Sequence, residues 1–93
     1  MIIGAAQIKL YAPWVFSLKE KRMIVKSIVA KAKNKFNISI AEVAEQDTHQ
    51  TIVLGLACVT ESVAHADSIM DTVIGFIEAN TEAEILDVQR EIR

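Results

Sequence analysis

Apolar and polar residues alternate from the start of the chain. Ile2, Ala6, Ile8 and Leu10 share one phase while Gln7 and Lys9 take the other, the period of a strand buried on one face. This predicts a first strand over Met1–Tyr11. Ala12-Pro13-Trp14-Val15-Phe16 breaks the pattern, because proline restricts both its own backbone and that of the residue before it, and a connecting loop follows. Ser17 and Glu20 have capping-box spacing, with the serine side chain able to accept from the amide three residues on, so a helix begins at Leu18. At about 100° per residue, Leu18, Val25, Ile28, Val29, Ala32 and Phe36 share one broad apolar face. Phe36-Asn37 ends that helix.

Ile38–Glu45 is rich in branched residues and reads as a second strand whose apolar phase changes between Ile40 and Val43, the mark of a bulge. Gln46–Gln50 is polar and turn-like. Thr51–Thr60 is the clearest strand, with Ile52, Leu54, Leu56 and Cys58 on one face, and it forms a hairpin with the second. Thr60 or Ser62 caps a second helix in which Val63, Ala66, Met70, Val73 and Ile77 repeat at three-four spacing, widened by Ile69 and Ile74; Asn80 suits its end. Glu84–Ile92 completes the chain as a strand.

The order β-α-β-β-α-β predicts an α+β, ferredoxin-like sandwich, a four-stranded antiparallel sheet with two helices on one face. A chain of 93 residues holds one core, so residues 1–93 form a single domain. If the even residues of the first and third strands face the helices, the open face presents Ile3, Ala5, Gln7 and Lys9 beside Val53, Gly55, Ala57 and Val59. Ile3, Ala5, Val53, Ala57 and Val59 make that face an expected interface of a homo-oligomer, a dimer in the simplest case.

Composition narrows the function classes. With 52% hydrophobic and 5% aromatic residues, the core consists mainly of Ile, Val, Leu and Ala, and disorder is excluded. No apolar run approaches the roughly 20 residues needed to cross a bilayer. The first ten residues lack the basic segment and cleavage site of a signal peptide, so a cytoplasmic protein without a membrane partner is expected. Cys58 is the single cysteine; it forms neither an intrachain disulfide nor a cysteine-pair metal site, and its apolar neighbours mark it as a buried hydrophobe.

Charge changes the picture more. Seven of the ten Lys and Arg residues fall between Ser17 and Phe36 with one acid, Glu20, giving that segment +6, while three bases against eleven acids give the remainder −8. Lys19, Arg22, Lys26 and Lys33 project within an arc of about 60° and extend over about 21 Å of helix. Lys31, Lys33 and Lys35 favourably oppose the negative helix end. Lys19, Lys21 and Arg22 oppose the macrodipole instead, by about 0.3–1 kcal/mol each before screening, so helix stability does not account for them. Together with the free amides of a helix N-terminus, Lys19, Lys21, Arg22, Lys26 and Lys33 are expected to form a nucleic-acid or anion-binding surface, the alternative being an ordinary solvated helix face. Trp14 and Phe16 stand just before it and can stack on a base or insert into a partner, unless they cover the end of the core.

Signals for catalysis are poor. His49 lies near Asp47 without defined geometry, and His65 has Asp67 and Asp71 nearby without a convergent ligand set. An acylphosphatase-like hydrolase needs a glycine-rich cradle and an arginine after the first strand, a metal carrier needs a cysteine pair there, and Ala12–Phe16 holds none of these. An RNA-recognition motif stacks bases on aromatics of its central strands, where this chain has small or aliphatic residues. No catalytic residue, metal or cofactor is therefore assigned, and the expected activity is binding.

Ser17-Leu18-Lys19-Glu20-Lys21-Arg22, followed by Lys35-Phe36-Asn37, Ala41-Glu42-Val43, Gln46-Asp47, Gln50 and Leu54-Gly55, closely resembles the YlxP-like family of small bacterial proteins of unresolved function. The resemblance covers nearly the whole chain and implies a ferredoxin-like fold. In many bacteria the family's gene lies beside those for translation initiation and ribosome-binding factors, which implies association with the ribosome or RNA. His49 stands where relatives carry other residue types, including tryptophan, which weakens a catalytic role for it. The alternative to RNA binding is a structural or regulatory domain that oligomerises through its open sheet face and binds a small anion.

Overall fold

β1 (Ile2–Tyr11) organises the molecule, pairing along both edges. The computed structural model describes all residues, 1–93, and continues with α1 (Leu18–Lys35), β2 (Ser39–Ala44), β3 (Thr51–Thr60), α2 (Val63–Ala79) and β4 (Glu84–Ile92). β1 is antiparallel to β3 from Ile2 opposite Thr60 to Tyr11 opposite Thr51, and antiparallel to β4 on its other edge. β3 pairs outward with β2, so the sheet order is β2-β3-β1-β4. This is the ferredoxin-like β-α-β-β-α-β arrangement. The β2–β3 ladder shifts register between Glu42 and Ala44, which leaves Val43 as the extra residue of a bulge.

The even phase of the strands meets the helices. Ala6, Ile8 and Leu10 of β1, Ile40 of β2, and Ile52, Leu54, Leu56 and Cys58 of β3 pack against Ile28 and Ala32 of α1 and Ala66, Met70, Val73 and Ile77 of α2. At Gly4 the approach is close: an added Cβ would lie 3.1 Å from Cys58 Sγ and 3.2 Å from Ala66 Cβ, so the neighbours would have to give by a few tenths of an ångström. α1 lies toward β2, whereas α2 packs on β1, β3 and β4. The basic helix and the acids of α2 and β4 therefore occupy opposite flanks of the sheet. Arg90 of β4 strengthens the acidic flank internally, pairing with Asp71 and with Asp67 Oδ1 at 3.3 Å.

Both helices begin on a serine. Ser17 Oγ accepts from the amide of Glu20 at 3.1 Å and Ser62 Oγ from that of His65 at 3.2 Å, which assigns the second cap to Ser62. Thr60 donates instead to the Ser62 carbonyl at 2.7 Å and shapes the turn before the helix. At the other end of α1, Phe36 meets Phe76 edge to face, ring centroids 5.3 Å apart, with the Lys35 ammonium over the Phe76 ring.

One position on the open face departs from expectation. Val53 has the predicted phase and lies outside the core cluster, yet it is only 6% exposed. It sits on an inner strand in register with Lys9 on one side and Ala44 on the other, and side chains along a paired face cover one another. Val53 is thus corrected from an exposed interface residue to a buried one.

Candidate nucleic-acid interface

The loop between β1 and α1 is anchored by its small apolar residues and presents its large ones. Ala12 and Val15 are fully buried, while Pro13, Trp14 and Phe16 are exposed. The Ala12 amide donates to the Gln50 carbonyl at 2.8 Å, and Gln50 Nε2 donates to the Pro13 carbonyl at 3.0 Å, so the loop is tied to the β2–β3 turn by backbone and side chain. Trp14 is 39% exposed and Phe16 75% exposed; neither closes the core.

Four of the five predicted basic residues project into solvent. Lys19, Arg22, Lys26 and Lys33 are exposed. The ion pairs of the molecule engage Lys21, Arg90 and Arg93, none of these four. Their charges are therefore available on one face of α1, unneutralised by neighbouring carboxylates.

Lys21 is the exception and corrects the sequence reading. Its side chain is 1% exposed, and its ammonium donates to the carbonyl of Glu45 and to that of Thr48 at 2.7 Å. Glu42 Oε2 lies 3.0 Å away as the counter-ion but accepts no hydrogen bond, so this third contact is Coulombic. Glu45 takes a left-handed conformation, φ 59°, and its carboxylate accepts from Thr48 Oγ1 at 2.7 Å. The lysine holds the β2–β3 turn against the start of α1 and is buried out of reach of a phosphate. The signal was in the spacing: Lys21, Val25, Ile28 and Ala32 are separated by four, three and four residues, the repeat of a buried helix stripe.

Two clefts flank the N-terminal end of α1. One, of about 300 Å³, lies between Trp14, Met23 and Ser27 and the residues that follow α2, Asn80 to Glu82. The other, of about 570 Å³, lies between Phe16 and the β2–β3 turn, with Tyr11 and Asp47–Thr51 on its walls. His49 and Asp47 both line this second cleft and both are exposed. His65 is exposed in the first turn of α2, and Cys58 is buried in the core. No group of three or more His, Cys, Asp or Glu side chains is placed to hold a metal ion, and no helix is long and apolar enough to cross a membrane.

The open sheet face has a different character. Ala5, Gly55, Ala57, Ser39 and Ala41 floor a shallow trough of about 690 Å³. Val43 lies across Gly55 so closely that a Cβ there would be 2.8 Å from Val43 Cγ1. Ile3, Ala5 and Ala57 are half-buried and Val59 is 66% exposed. Along the β4 side the face is polar: Glu91 and Arg93, two residues apart, form a bidentate pair at 3.0 Å. The Arg93 guanidinium, through these hydrogen bonds and its charge, holds the Glu91 carboxyl below the usual range, and the carboxylate raises Arg93 in turn.

The sequence model of the family described as "Protein of unknown function (DUF503)" matches residues 3–90. Uncharacterized protein YlxP of Bacillus subtilis (strain 168) is 37% identical over 83 residues, which cover 89% of this chain and 90% of that one. Among solved structures, a de novo designed protein with a ferredoxin fold superposes with a TM-score of 0.62 at 18% identity, over 100% of this chain and 86% of the other. The designed protein Foldit4 gives 0.51 at 8% identity, over 99% and 94% of the two chains. At these identities the likeness to both designs is one of fold.

Proposed function

Since the chain belongs to the YlxP-like DUF503 family, whose function is not established, we propose from its surface chemistry that it is a non-enzymatic module that binds RNA, free or on the ribosome, through α1. The observation that carries this reading is the stripe Lys19, Arg22, Lys26 and Lys33, exposed and outside every ion pair of the molecule. Unpaired cations at about 1.5 Å of rise per residue along one helix face attract a phosphate backbone, and their counterions are released on binding. Most of the acids lie on α2, β4 and the segments beside them, and of the acids near α1, on β2 and its turn, Glu42 is paired with Lys21 and not with the stripe. The family's gene neighbourhood beside translation factors supports the same class of partner.

The test is binding of a fluorescent single-stranded RNA, or of purified ribosomal subunits, at several salt concentrations. Four phosphate contacts predict a slope of log K on log salt of about −3 for a single strand. Charge reversal of Lys19, Arg22 and Lys26 should abolish most of the binding without altering the circular dichroism spectrum, because all three side chains lie outside the core. Unchanged affinity of the folded triple variant would sink the reading.

A second reading, self-association, is favoured by the small-residue floor of the open face and the exposure of Val59. Ala57→Lys would then yield a folded monomer; sedimentation of the unaltered protein as a monomer at micromolar concentration removes this reading.

A further inference from the structure

Phe16 stands in water because the smaller Ala12 and Val15 fill the space beneath the loop. It occupies the position before the N-cap, where an apolar side chain commonly packs against the fourth residue of the helix. That residue is Lys21, whose ammonium is engaged with the β2–β3 turn, and Phe16 remains 75% exposed on the wall of the adjoining cleft. Phe16 is one of several exposed large apolar side chains, and what sets it apart is its place on the wall of a cleft.

The cleft around that ring is held in shape. Its floor and far wall are tied together by the Ala12–Gln50 and Gln50–Pro13 hydrogen bonds, and the turn is fixed from beneath by the buried Lys21 ammonium. A polar wall braced by a buried charge is costly to build, and its effect is to present the turn in one conformation to whatever enters. Tyr11, His49 and Thr51 line the cleft with groups that both donate and accept, and Asp47 adds a carboxylate that only accepts. Thr48 Oγ1 already donates to Glu45 and Gln50 Nε2 to Pro13, which leaves Gln50 Oε1 and the Asp47 carboxylate facing the need for donors. A carboxylate repels phosphate but accepts two parallel N–H bonds, the pattern of adjacent ring and amino N–H groups on the Watson–Crick edge of guanine. Arg22 lies about 100° around α1 from Lys21 and Lys19 about 160°, so a strand leaving the cleft meets the basic stripe by passing around the start of α1.

We propose that this cleft binds an unpaired nucleobase, guanine by preference, with the base stacked on Phe16 and hydrogen-bonded to Asp47 while the flanking phosphates lie on Lys19 and Arg22. The inference rests on the RNA-binding reading of α1 and adds to it a site for the base. Stacking on one aromatic ring contributes about tenfold or more in affinity, and it requires a base free of its partner strand. The assembly therefore selects single-stranded over duplex RNA.

The experiment compares short single-stranded RNAs of one length that carry guanosine, uridine or an abasic residue at a central position, together with the duplex of the first, against the unaltered protein, Phe16→Ala and Asp47→Asn. The unaltered protein should bind the guanosine strand about tenfold more tightly than the abasic strand or the duplex. Phe16→Ala should erase that difference while leaving the affinity for the abasic strand and its salt slope unchanged. Asp47→Asn should reduce the preference for guanosine over uridine and leave stacking intact. Equal, salt-dependent binding of all four RNAs would overturn the base site and leave the phosphate-binding stripe standing. Absence of binding to any of them would overturn both. Asp47→Asn should unfold at the unaltered midpoint, and a folded variant with full selectivity refutes the role of Asp47.

Discussion

Replacing Lys21 by methionine keeps an unbranched apolar stem and removes the ammonium, which isolates the link between α1 and the β2–β3 turn. That ammonium is buried and serves two carbonyl oxygens and the Glu42 carboxylate. In its absence Glu42 Oε2, which accepts no hydrogen bond, is left as a largely buried charge without a counter-ion. Breaking a buried pair from one side costs about 3–5 kcal/mol. The carbonyls belong to Glu45 and Thr48, exposed residues of a surface turn, so water can replace part of the lost bonding there. A loss of about 3 kcal/mol follows, which lowers the thermal midpoint of a domain of this size by about 15 °C. Unfolding followed by circular dichroism at neutral pH, at low and high salt, measures it. The loss should persist at high salt because a buried pair is weakly screened. Adding Glu42→Gln to Lys21→Met should recover part of the stability, since it removes the orphaned charge. A Lys21→Met midpoint within about 2 °C of the unaltered protein, accompanied by weaker RNA binding, would refute the reasoning and return Lys21 to the phosphate-binding surface.

Ser17→Ala and Ser62→Ala should each destabilise the protein by about 1 kcal/mol through loss of a helix cap, read from denaturant midpoints; unchanged midpoints would remove the corresponding cap. Gly4→Ala places a methyl group 3.1–3.2 Å from Cys58, Ala66 and Met70 and should cost about 1–2 kcal/mol by overpacking α2 against β1, whereas an equally stable variant would mean that α2 shifts freely. The Glu91 carboxyl should titrate below the ordinary glutamate range in an NMR pH series and return to it in Arg93→Ala. Its pKa is lowered in the folded state, so the pair favours folding above the unfolded-state pKa and loses that contribution as pH falls through the lowered value. Both groups are fully exposed, and the effect on stability should be correspondingly slight; ordinary titration in the native protein would show that the pair does not persist in solution.

The element order was legible because each strand and helix carries its own period. Alternation from Ile2 to Leu10 and from Ile52 to Cys58 names the buried face of the sheet, and the Ser17 and Ser62 caps mark helix starts within one turn of sequence. The phase change before Val43 announced the bulge for the same local reason. These signals depend on neighbours along the chain, and the family match extends the same logic to a relative sharing them.

Three-dimensional proximity decided the rest. Whether a lysine faces solvent or a turn 24 to 27 residues away depends on where that turn is packed, and composition counts Lys21 and Lys19 alike. Burial of Val53 arises from its partners on two adjacent strands, Lys9 and Ala44, which are remote in sequence. The loop aromatics were ambiguous from sequence because an apolar residue beside a core can close it or stand outside it; small Ala12 and Val15 fill that space, and Phe16 is left in water. The net charge of α1 was therefore written in the sequence. Which of its charges remain free, and which aromatic stands beside them, was settled by tertiary packing, because burial is a property of the surroundings and not of the residue.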